Sequence, residues 1–283
     1  MATLISSAAN PLVKRVRMLA DRRHRRLEGA FFVEGIQPVW QAVSAGAAGF
    51  QIETLIVAPD LLGRSAAMEM VAEQEAGGTR VARLSRELFE RLSDREGPSG
   101  LAAIVRGRIG SLDELSVAAD SLLVALHEIG NPGNLGTIIR TADAVGSGGV
   151  ILLGDTTDPF APAAVKASMG ALFSVPVAHV GDPGEFFRWA AARGLGVVAT
   201  SAHADADHWS AGYALPLALL LGSEGRGLPA DLLARADLRV RIPMVGTAHS
   251  LNLAVAAGIL LYEVRRATAG APATRRAGSG RSR

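Results

Sequence analysis

Apolar residues in this chain come in two rhythms: short unbroken runs, and stretches in which they return every three or four positions. A strand is predicted at 238–242 (LRVRI), where apolar and basic residues alternate; the runs at 122–126, 149–154, 174–178, 196–200 and 217–221 are too short for helices and lack the alternation of a half-exposed strand. They read as strands buried on both faces, the mark of a parallel sheet. Helical spacing fills the gaps, at 134–145, about 161–168 and 183–192. A last helix is predicted at 251–266, with Ser250 as its N-cap. It is apolar nearly all round, which requires burial against a sheet or a second subunit, and only Glu263, Arg265 and Arg266 look wet.

The first hundred residues repeat the alternation on a smaller scale. Strands are predicted at 31–34, 52–58, 80–84 and 101–106, with helices at 36–45, 61–74 and 86–92 between them. Ahead of them a helix starts at Asn10-Pro11 and runs through Val13, Val16 and Leu19. The fold class is therefore α/β twice over: a small three-layer domain over 1–106, a linker at 107–119 where periodicity is lost, and a parallel-sheet domain over 120–267. The Ala, Gly, Pro, Ser and Arg of 268–283 cannot bury a core, and this tail is expected to be disordered.

In an open parallel sheet ligands bind where loops leave the C-terminal ends of strands. Three such loops carry chemistry here. After 122–126 comes Gly130-Asn131-Pro132-Gly133-Asn134-Leu135-Gly136, with Asn134 a natural N-cap and Arg140 one turn beyond Gly136 on the same face. A cation in the second turn is poorly matched to the helix dipole, so Arg140 either serves a phosphate or a developing oxyanion, or sits in a structural ion pair. The G-x-x-G-x-x-G spacing, with proline inside the turn, is not the dinucleotide fingerprint. After 217–221 comes Gly222-Ser223-Glu224-Gly225-Arg226-Gly227, and after 238–242 a small-residue loop leads to Ser250 and Asn252. These last two offer backbone, one carboxylate, a hydroxyl and an amide, and no lysine, which suits a ligand without phosphates that carries a positive centre. Asn252, an amide in the first turn of an apolar helix, needs a partner.

Composition narrows the classes. The 283 residues contain no cysteine, excluding disulfides, thiolate metal sites and cysteine nucleophiles. Histidines show no metal-ligand spacing, and no metal is expected. No apolar run reaches the roughly 18 residues of a membrane span, and no signal-peptide core is visible, so a soluble, cytoplasmic protein is expected. Net charge is only +2, but its placement is uneven. Lys14, Arg15, Arg22, Arg23, Arg25 and Arg26 crowd one segment, and Arg275, Arg276, Arg281 and Arg283 the tail. Such clusters mark either a polyanion partner or merely a solvated face.

Taken together, residues 131–146 (NPGNLGTIIRTADAVG), 221–228 (LGSEGRGL) and 242–258 (IPMVGTAHSLNLAVAAG) resemble the three motifs of the SpoU/TrmH family of RNA ribose 2'-O-methyltransferases, in the family's order and spacing. Residues 1–106 more loosely resemble the RNA substrate-binding domain of many members, itself similar to small ribosomal proteins. The resemblance implies S-adenosylmethionine as methyl donor, a deep trefoil knot in the C-terminal domain, and a homodimer formed through that domain. It also implies the site: Gly222, Gly227, Ile242, Met244 and Leu251 match donor-binding positions, and Asn134, Arg140, Glu224, Ser250 and Asn252 the polar catalytic set. An RNA partner, ribosomal rather than transfer, gives the basic N-terminal segment its role. Two alternatives stay open, an RNA-binding protein without catalysis and a base methyltransferase on the same scaffold.

Overall fold

A computed structural model of the chain describes residues 4–45, 49–93 and 97–269. In chain order the elements are α1 (Pro11–Met18), α2 (Arg22–Glu28), β1 (Ala30–Glu34), α3 (Ile36–Ser44), β2 (Gln51–Val57), α4 (Pro59–Leu62), α5 (Ala66–Ala76), β3 (Arg80–Arg83), α6 (Arg86–Glu90) and β4 (Leu101–Arg106). There follow β5 (Leu122–His127), α7 (Pro132–Ala144), β6 (Gly149–Leu153), α8 (Pro162–Ser168), β7 (Val177–Val180), α9 (Pro183–Ala192), β8 (Gly196–Thr200), β9 (Ala206–Asp207), β10 (Leu217–Leu221), α10 (Ala230–Arg235), β11 (Leu238–Arg241) and α11 (Leu253–Thr268). The expected disordered tail lies, from residue 270 on, outside the described residues.

The chain divides into two compact units. The first comprises Met1–Gly110 with Ile129–Asp143 and Thr156–Val177; the second comprises Ser111–Glu128, Ala144–Asp155 and the chain from Ala178 on.

In the first unit a four-stranded sheet of order β1-β4-β2-β3 has β4 antiparallel to both neighbours and β2 parallel to β3. The helix predicted from Asn10 is α1, and a second, unpredicted helix, α2, follows it. Asn10 caps α1 through a bond from the Leu12 N–H (2.9 Å), with Pro11 where its missing N–H costs nothing. Asp21 then caps α2, accepting from Arg23 N–H at 2.8 Å, and Gly29 (φ 61) closes it in the left-handed form. Val13, Val16 and Leu19 enter one core with Ile56, Leu84, Phe89 and Ile104, as their three-residue spacing predicts. A second zone of packing brings in the later segments: Phe31 stacks on Phe160 (centroids 4.4 Å apart), and Phe50 meets Phe173 edge-on at 5.0 Å. Here too α7 packs on α8 so closely that a Cβ on Gly136 would overlap the Ala164 carbonyl.

The second unit is built on a seven-stranded sheet of order β7-β6-β5-β10-β8-β11-β9. Pairings β5–β6, β5–β10, β8–β10, β8–β11 and β9–β11 are all parallel. Strands β5, β6 and β10 are buried on both faces, as their unbroken apolar runs require, whereas β11 (LRVR) exposes its two arginines; Leu123, Ile151, Val197 and Leu220 share a core with Phe186, Trp189 and Leu232. The last helix departs from expectation. Only one face of α11 is buried (Ala254, Ala257, Leu260, Leu261, Val264), while Val255, Ile259 and Tyr262 form an exposed apolar stripe. Its last turn is less wet than its charges implied: Arg265 donates to the carbonyls of Val145 and Gly146, and the Glu263 carboxylate, largely covered, holds Arg266. No helix among the described residues is long and apolar enough to cross a membrane.

Candidate functional site

At the C-terminal ends of β8, β10 and β11, within the second unit, lies a cavity of about 720 Å³. That is within the range of small-molecule sites. Its walls are the glycine-rich loop after β10 and the small-residue loop after β11. After β10 the chain must turn at once: Gly222 is buried with its Cα against the backbone of Gly227, where any Cβ would collide. Gly227 N–H donates to Ser223 O at 3.0 Å, and Gly225 (φ 86) and Gly227 (φ 67) take left-handed conformations open to glycine. This sharp turn brings the loop to the cavity wall. After β11, the exposed stretch from Met244 to Asn252 closes the other side before α11 begins.

The structure brings Gly222, Glu224, Gly227, Ile242, Met244, Ser250, Leu251 and Asn252 together around this cavity. Among the described residues Glu224 is the sole carboxylate of the lining, whose remainder mixes apolar side chains (Leu221, Val240, Leu260) with hydroxyls, loop backbone, two arginines (Arg226, Arg241) and two histidines (His203, His249). Thr200, Ser201 and His203 also line it, and sequence reasoning missed them. The signal was present, because they follow the C-terminal end of a correctly placed strand. A cavity of this size, with loop backbone, hydroxyls and apolar walls, fits a nucleoside-sized ligand. Among the described residues no group of three or more His, Asp or Glu stands close enough to hold a metal ion.

Two capping assignments change. Ser250 does not cap the last helix; Asn252 does, its Oδ1 accepting from the N–H groups of Ala254 (2.9 Å) and Val255 (3.3 Å). That bond gives the amide the partner its position demanded. Likewise α7 starts at Pro132, and Asn131 Oδ1 accepts the Asn134 N–H at 3.0 Å. Asn134 thus stands inside the first turn, partly buried, with its side chain not the cap. Arg140, two turns into α7, is exposed. Both belong to the first unit.

The basic segment divides sharply. Arg25 is 5% exposed; its guanidinium binds Asp158 (2.7 and 2.9 Å) and the carbonyls of Leu19 and Ala20. Arg15 is shared between Glu28 and Glu53, which raises its pKa above the usual arginine value and holds the Glu53 carboxyl below the carboxylate range, Arg15 being the main cause. Arg22 donates to the Thr156 carbonyl at 3.1 Å. Lys14, Arg23 and Arg26 are exposed. The expected RNA contact by Arg25 is therefore corrected: its charge is spent inside the fold, and Arg15 is largely engaged as well.

With this geometry in view, comparison with known proteins is specific. Residues 121–262 match the SpoU rRNA Methylase family, and residues 10–103 the MRM3-like substrate binding domain. The 23S rRNA (uridine(2479)-2'-O)-methyltransferase of Streptomyces viridochromogenes is 34% identical, over 91% of this chain and 90% of that protein. The 23S rRNA (guanosine(2553)-2'-O)-methyltransferase RlmP of Bacillus subtilis is 30% identical, over 92% and 98% respectively. Among solved structures, the AdoMet-bound rRNA methyltransferase from Sinorhizobium meliloti superposes with a TM-score of 0.82 at 37% identity, covering 94% of this chain and 98% of that one.

Proposed function

The chain belongs to the SpoU rRNA methylase family, and from that premise we propose that it transfers a methyl group from S-adenosylmethionine to a ribose 2'-hydroxyl of ribosomal RNA. The observation that carries this reading is that two of the three motifs recognised in the sequence wall one cavity of donor size. Bound there, S-adenosylmethionine supplies an electrophilic methyl on sulfur. Gly222, Gly227, Ile242, Met244 and Leu251 would hold it, with Glu224 facing its positive charge.

The remaining task of the protein is to align the ribose hydroxyl and to stabilise the charge that grows on its oxygen. We assign that stabilisation to Arg140, together with binding of the neighbouring phosphate. An arginine is not deprotonated in proteins, so it acts as a charge and a hydrogen-bond donor rather than as a base. Asn134 orients it, Ser250 contacts substrate, and Asn252, which caps α11, fixes the loop that carries Ser250.

The finer architecture follows the same reading. Residues 1–106 bind RNA through Lys14, Arg22, Arg23 and Arg26, residues 120–267 carry the reaction in a trefoil-knotted fold, and two copies pair in the cytoplasm through the C-terminal domain. The stripe Val255, Ile259 and Tyr262, left open on α11, supports the pairing. Incubating ribosomal RNA with the protein and methyl-labelled donor, then digesting to nucleosides, tests the reaction. Label on ribose is the expected outcome; label on a base, or none, would replace it with base methylation or with binding alone.

A further inference from the structure

The glycine loop after β10 is fixed at its base, by Gly222 against Gly227 and by the Gly227–Ser223 bond, but its tip, Glu224 to Arg226, is exposed. A cavity wall of this kind needs something to hold the tip. The end of β5 provides it. There Glu128 adopts φ 48, one of two non-glycine left-handed residues among those described. The other, Met169, closes helix α8, which is a common reason for that conformation; Glu128 ends a strand and has no such reason. Its N–H is bound to Leu153 O at 3.0 Å, and Gly154 lies beneath its side chain, where a Cβ would come within 3.5 Å of Glu128 Cγ. The strained backbone aims the carboxylate at the loop, and Oε2 accepts from Arg226 Nη2 at 3.2 Å.

We infer that Glu128 is a positioning residue for the donor: by holding Arg226 it keeps the Glu224–Arg226 tip in the shape that lines the cavity. Glycine would take the same backbone conformation without strain, but would lose the carboxylate. Arg226 is 81% exposed and Glu128 37%, so the effect is modest: about a two- to five-fold change in donor affinity, the range of exposed ion pairs. The inference rests on the donor occupying this cavity.

Calorimetric titration of the full chain with S-adenosylhomocysteine, at low and moderate salt, tests it. E128Q, E128G and R226Q should each weaken binding by that factor, and the double variant E128Q/R226Q should be no weaker than either single one. E128G, relieved of strain, should keep the thermal midpoint of the wild type, which separates loss of positioning from loss of folding. In turnover, E128Q should raise KM for the donor and leave kcat at saturating donor in place. Wild-type affinity in E128Q and E128G, or additive losses in the double variant, overturns the inference. Failure of the wild type to bind S-adenosylhomocysteine overturns the functional reading instead.

Discussion

The arginine-rich segment of α1 and α2 and the loops after β10 and β11 both stood out in the sequence, and they teach opposite lessons. In the loops, residue type and role coincide: after β10, Gly222 stands where a Cβ cannot fit and Gly225 and Gly227 where φ is positive, and the predicted site residues of both loops gather around one cavity. In the helices, residue type and role part company. Arg15 and Arg25 spend their donors on Glu28, Glu53 and Asp158, whereas Arg22 is exposed with one bond to the Thr156 carbonyl, and Lys14, Arg23 and Arg26 face solvent. A glycine signals through the space it leaves, which local backbone decides. An arginine signals through a charge that a distant carboxylate can silence.

The largest effect that sharpens this contrast lies at Asp158. Replacing it with alanine leaves the Arg25 guanidinium buried without its counter-charge, which is expected to cost about 3–5 kcal/mol. Loss of hydrogen-exchange protection in α2 and β1 would report it. RNA affinity per folded molecule should not change, and a drop there would return Arg25 to the interface. Next comes Arg140→Ala. It should reduce kcat by about 10²–10³, as removal of an oxyanion-stabilising donor does, with donor affinity intact by calorimetry. Near-normal turnover would end the role assigned to Arg140.

Much of the fold was legible because strands such as β5 and β10 are buried on both faces, and continuous apolar runs leave little choice of register. Strands 196–200, 217–221 and 101–106 and helix 183–192 fall where the pattern puts them. What the pattern misjudged were ends and faces. Ser250 looks like a cap by residue type, but so does Asn252, and only the path of the loop decides between them. Asn131 and Asn134 pose the same choice, settled by Pro132, which fits the first position of a helix. Helix α2 was readable in Asp21 and Gly29, but the run of charges masked it. On α11 the apolar residues outnumber the buried ones, and a single chain's periodicity does not say which apolar face a neighbour covers.

A smaller effect tests the exposed half of the basic segment. Substituting Lys14, Arg23 and Arg26 together by alanine should flatten the dependence of RNA affinity on salt by about 0.7–0.9 for each phosphate left without its cation. Replacement of the paired Arg15 should change that slope far less per residue. An equal change per residue would show that internal pairing does not predict which cations meet RNA.

The smallest expected effect concerns Glu53, where pairing can be titrated. Arg15, and behind it Arg106, hold this carboxyl below its ordinary range in the folded chain. A depressed folded-state pKa means that the ion pair stabilises the fold above the carboxylate range of the unfolded chain. That contribution is lost as pH falls through the lower, folded value. Glu53→Gln should therefore lower stability at neutral pH by about 1 kcal/mol, and the melting curves of variant and wild type should converge in acid. If the gap between them stayed constant with falling pH, the carboxylate's charge would not be what secures Arg15, and the division of the arginines into spent and available would lose its electrostatic basis.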